Sequence, residues 1–147
     1  MSTFSKLQRN ITYKTYIIDI LFSFVLALLS SNFIYFPLLI GIFITLDLRL
    51  SFVLPFLFFT EITHGYLYLS LISFYFIYKY YIYPIFSIKL DKNYIHFLSI
   101  PLVYILYFLF LESYYTINDI FFNINYLFIL YYILVEELLL LIDKRLK

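Results

Sequence analysis

The 147 residues are 65% hydrophobic and 13% charged, with a formal net charge of +1 and a mean hydropathy of +0.95. A soluble domain needs a polar exterior that this composition cannot supply, so the chain reads as all-α: a polytopic integral membrane protein, one membrane domain over residues 1–147. The scattered lysines and arginines exclude a nucleic-acid stripe, and the absence of cysteine excludes disulfides, thiolate metal sites and a Cys nucleophile.

In chain order, Lys6, Arg9 and Lys14 precede the first apolar run, 17–31, and place the N-terminus in the cytoplasm. No small-residue cleavage site follows, so this run is expected to stay as a helix. It contains a carboxylate, Asp19, which with Ser23, Ala27 and Ser31 recurs every four residues as one stripe on one helix face. Such a stripe suits close packing within the chain or docking of a partner's helix. Two shorter runs follow, 33–46 and 50–62, divided by Asp47 and Arg49. Each falls short of the ~30 Å hydrocarbon core at about 1.5 Å per residue, so they read as two short helices or as a re-entrant hairpin.

The stretch "EITHG" places Glu61, His64 and Gly65 in a polar turn at the outer face, with glycine permitting the reversal. Glu61 and His64 make only half of a di-iron motif, and the other histidine, His96, is assigned to the opposite side, so no metal is expected. The run 65–88 carries Lys79 and a belt of tyrosines at 75, 78, 80, 81 and 83. The runs 97–112 and 126–142 complete six predicted spans, and the loop 113–125 reads as a surface segment with a short interfacial helix. Six crossings put Lys89, Lys92, Lys144, Arg145 and Lys147 on the side of the N-terminus, hence N-in and C-in. Glu136 and Glu137 sit inside the last run at a depth similar to that of Lys79, which predicts an intramembrane ion pair between Lys79 and one of them.

No span carries a nucleophile with a base, and two glycines in the chain make a phosphate cradle improbable; neither an enzyme nor a cofactor is expected. The ordered pattern resembles the rod-shape-determining MreD family over nearly the full length. The resemblance rests on the basic "KLQRNITYK", the run 17–31, "FIYFPLLIG" with Pro37 and Gly41, "LPFLFFTEITHGYLYLSLISFYFIYKY" with Glu61 and Gly65, and the basic tail "DKRLK". It departs from that pattern in having Glu at 61 in place of Asp and no arginine before Pro37. The resemblance implies a non-enzymatic subunit of the bacterial cytoplasmic (inner) membrane. It would associate with an MreC-like protein and, through it, with MreB and the peptidoglycan synthases of the cell-elongation complex. A similar fold is implied for the substrate-binding S-components of energy-coupling-factor vitamin transporters, the main rival. Its outward pocket would draw on Glu61, His64, Glu112 and Asp119. An accessory membrane subunit of another complex is the third possibility.

Overall fold

A computed structural model describes the backbone of residues 3–89, 92–121 and 123–146, and side chains over 13–89, 94–121 and 123–143. The basic side chains that set the expected orientation, Lys6, Arg9, Lys92, Lys144, Arg145 and Lys147, lie outside the described ones.

The first 36 residues contain neither proline nor glycine, and one helix, α1 (Thr3–Asn32), runs through almost all of them. Its last turn is polar: Ser30, Ser31 and Asn32 return hydrogen bonds to the carbonyls of Ala27 and Leu28. Residues 33–39 are non-helical, as Pro37 disfavours helix at the residue before it. The helix expected over 33–46 is therefore reduced to α2 (Ile40–Thr45), six residues rich in β-branched side chains and interrupted by Gly41. It begins after Leu39, which adopts the left-handed conformation with φ 60°.

Next, α3 (Leu50–His64) ends on Gly65 at φ 66°, where the amide of Tyr66 bonds the Glu61 carbonyl and that of Gly65 bonds Ile62. That is a Schellman cap, which glycine accommodates without strain. The fourth rod starts at Ser70, five residues later than expected, again after a left-handed leucine, Leu69. It comprises α4 (Ser70–Ile77), a π-helical turn (Tyr78–Ile82) and α5 (Tyr83–Lys89) without a break. The π turn ends two residues before Pro84, whose missing N–H and clash with the carbonyl four residues back are absorbed by the wider winding. Then α6 (Lys92–Ile117) extends into the segment expected to form a separate interfacial helix, and α7 (Tyr126–Leu146) closes the chain. Six helical rods thus make up the described residues, and the fold is all-α.

The shortest helix lies at the centre. All of α2 except Ile42 is buried, in contact with α6, α7, α3 and the π-helical turn. Ile100, Val103, Tyr104, Tyr107, Phe108 and Leu111 form the buried face of α6 at helical spacing. Phe43 stacks on Phe56 with ring centroids 3.8 Å apart. By contrast α1 is peripheral and packs along α3. Among the described residues two stretches, Tyr13–Asn32 and Tyr94–Ile117, are helices long and apolar enough to cross a membrane. Of the tyrosine belt, Tyr75 and Tyr78 are buried in the core while Tyr80 and Tyr81 are exposed.

Candidate functional site

Polar groups converge at four places, and each answers one of the sequence expectations. Asp19, Ser23 and Ala27 are buried against α3 of the same chain, whereas Ser31 is exposed. Asp19 accepts from Arg49 at 2.9 Å and from Ser51 Oγ at 2.7 Å. Ser23 Oγ donates to the Phe52 carbonyl at 2.9 Å and to the Asp19 carbonyl at 2.7 Å. The candidate docking face for a partner's helix is thereby corrected: small side chains let α3 approach closely, and α3 fills the face. Asp19 also gains two polar neighbours at the start of α3, Arg49 and Ser51, the first of them in an ion pair that residue spacing does not announce.

The predicted ion pair is corrected as well. Lys79 Nζ lies 2.5 Å from Asp47 Oδ1, with the Leu46 carbonyl at 3.4 Å and the Tyr75 ring beneath it. Asp47 follows the C-terminal end of α2, whereas Glu136 reaches its N-terminal end. Similar depths counted along two helices left out the length of α2, about 9 Å, that separates them. The Lys79 ammonium, which donates to Asp47, holds that carboxyl below its ordinary value.

Glu136 is fully buried. It accepts from the amide of Ile42 at 2.9 Å and from the Tyr104 hydroxyl, and the amides of Leu39 and Gly41 also face it. A Cβ at Gly41 would stand 2.5 Å from Glu136 Oε2, 2.8 Å from Ile100 and 3.0 Å from Tyr104, so glycine is what admits the carboxylate. Two tyrosines of α7 complete the attachment: Tyr132 donates to the Ile34 carbonyl at 2.9 Å and Tyr131 to that of Tyr35 at 3.1 Å. Two carbonyls of the non-helical stretch before α2 are thus satisfied from α7.

Glu61 does the equivalent for the fourth rod. It is buried and accepts from the amides of Leu69, at 3.0 Å, and Leu71, and from Ser70 Oγ at 3.4 Å, with the Ile72 amide also facing it. Ser70 in turn bonds the Tyr107 hydroxyl at 2.8 Å. His64 turns the other way, its Nε2 3.3 Å from the Ser30 carbonyl and its ring stacked on Tyr66. Glu61 and His64 therefore diverge, while Gly65 makes the turn between them. Among the described residues no three metal-type ligands gather.

A cavity of about 230 Å³ opens beside this turn, lined chiefly by His64, Tyr66, Asn123, Asn125, Tyr132 and Phe108. Of the polar groups expected to line an outward pocket, it includes only His64. Glu61 is sequestered under α4, and Glu112 accepts from Tyr126 at 2.5 Å away from the lining. The amides of Asn123 and Asn125 carried no sequence signal beyond their place in a polar loop. Family models, curated proteins and solved structures offer no match to this chain.

Proposed function

We propose that the chain is a multi-pass subunit of the bacterial cytoplasmic membrane, N-in and C-in, that serves the cell-elongation complex by assembling and positioning wall synthesis rather than by catalysis. The observation that carries the reading is an inverted distribution of polarity. On α1 the exposed side chains include Ile17, Ile18, Leu21, Phe22 and Val25, while Asp19 and Ser23 are buried. Hydrocarbon around the molecule accounts for both halves of that pattern. The same setting explains the glutamates: non-helical backbone at membrane depth needs protein partners, and Glu61, Glu136, Tyr131 and Tyr132 supply them. These groups are engaged in holding the fold, which leaves broad lateral apolar faces as the surfaces on which such a subunit can act. The resemblance of layout to the MreD family adds the complex, with an MreC-like protein as direct partner and MreB and peptidoglycan synthases beyond it.

Depletion in a rod-shaped or helical host tests this. Loss of cell width control is expected, with MreC-like protein co-purifying with the tagged chain in mild detergent; normal shape on depletion would overturn the reading. The cavity beside His64 favours a second one, an S-component-like subunit, since its aromatic and amide lining suits a flat, uncharged small molecule. In that case a transporter ATPase module co-purifies and depletion leaves shape intact.

A further inference from the structure

The two adjacent glutamates of α7 have opposite fates. Glu136 is enclosed and fully engaged, whereas Glu137 is half-exposed and has no hydrogen-bond or ion-pair partner among the described residues. It borders a stripe of exposed leucines at helical spacing, Leu130, Leu134, Leu138 and Leu141. The neighbours of α7 are α6 and α2, and that stripe faces away from the core. On the membrane reading, on which this inference rests, Glu137 stands six residues before Asp143, the first charged residue beyond the span 126–142, about 9 Å along the axis. A glutamate has too short a stem to reach water from there, and a lipid tail offers it nothing to bond.

We propose that Glu137 and this leucine stripe form a docking face for a transmembrane helix of another protein that carries a lysine or arginine at matching depth. Charge complementarity selects that occupant. The described cations nearest in character, Arg49 and Lys79, are already paired with Asp19 and Asp47. A second copy is disfavoured because a two-fold contact through this stripe would bring Glu137 against Glu137, two like charges in hydrocarbon. A basic side chain from a different helix neutralises the carboxylate, and the leucines supply the packing on either side.

The test uses the full chain in its native membranes with a photo-crosslinking residue at Leu134 or Leu138, in the wild-type, Glu137→Gln and Glu137→Leu backgrounds. The expected product is a crosslink to one transmembrane segment bearing an intramembrane lysine or arginine. Its yield should fall by about tenfold or more in both variants, as befits loss of a desolvated charge contact, while the variants remain monodisperse in detergent. Glu137→Lys combined with the reciprocal change on the partner should restore it. Crosslinks to lipid alone, to a second copy or to a helix without a basic residue overturn the proposal, as does a yield indifferent to Glu137→Gln. Alkaline carbonate extraction separates the two levels: release of the chain defeats the membrane reading itself, whereas retention without the crosslink defeats only the docking face.

Discussion

The starts of α2 and of the fourth rod are built alike and held differently. Each follows a left-handed leucine, Leu39 or Leu69, both with φ 60°, and in each a buried glutamate faces the amides of that leucine and of the residues two and three positions later. Such amides carry the partial positive charge of a helix N-terminus, so a carboxylate suits them. The glutamates come from different distances, however. Glu61 lies within ten residues of the amides it bonds, one turn back across a Schellman cap. Glu136 arrives from 94 residues away and needs a glycine to enter. A local cap closes with its own turn, whereas a remote one ties together parts of the chain that otherwise would not hold, and α2 is too short to stand alone.

That contrast can be broken at either end. The largest effect is expected for Glu136→Ala, which strands several buried amides and the Tyr104 hydroxyl at a cost of about 3 kcal/mol or more. It should appear as a marked fall in the thermal midpoint in detergent, with Glu136→Gln recovering much of it; an Ala variant as stable as the parent would remove Glu136 from the fold's support. Gly41→Ala should cost about 1–3 kcal/mol by overpacking against Glu136, Ile100 and Tyr104. Because Glu136 is one of the groups met, its loss should not add to that of Glu136→Ala in a double-mutant cycle. Full additivity would mean that the two do not share a site.

For the local cap, Glu61→Ala is expected to lose about 2 kcal/mol, less than Glu136→Ala, and amide exchange should rise first at Leu69 and Leu71 while α2 stays protected. Simultaneous loss of protection at both helix starts would show that they are one cooperative unit. The smallest effect belongs to the exposed pair at the far end of α2. Lys79 lowers the Asp47 carboxyl below its ordinary value, so the pair stabilises the fold above the ordinary aspartate range and the benefit disappears as pH falls through the lowered value. With Asp47 largely exposed, the gain is under about 0.5 kcal/mol. Unfolding midpoints of wild type and Asp47→Asn should differ slightly at pH 7 and converge as the pH falls below the ordinary aspartate range; a gap that widened on acidification would reverse the assigned sign.

Much of the local architecture was legible. The apolar run 17–31 marked the second half of α1, the break at Asp47 and Arg49 separated α2 from α3, and Gly65 marked a turn because only glycine sits there without strain. Two assignments, one left between alternatives and one wrong, share a reason. The stripe of Asp19, Ser23, Ala27 and Ser31 was recognisable by its spacing, yet its occupant was not, since α3 and a partner's helix ask for the same small side chains. Lys79 was matched with the carboxylates of α7 by depth alone, and the closer Asp47 was overlooked because the extent of the helix between them was unknown.

What the sequence determined by itself was much of what is expressed over a few neighbouring residues: hydrophobic composition, the order of the main helices, the glycine-capped reversal and the presence of charges in apolar runs. Periodicity and backbone sterics act over one or two turns and can be read there. What only the tertiary structure decided was the partner of each charge. Glu136 and Glu137 are adjacent and chemically identical in the sequence, and the one-residue rotation of α7 turns the first into the centre of the molecule and the second to its edge. That assignment depends on which helices lie beside α7, a property of packing and not of the helix itself.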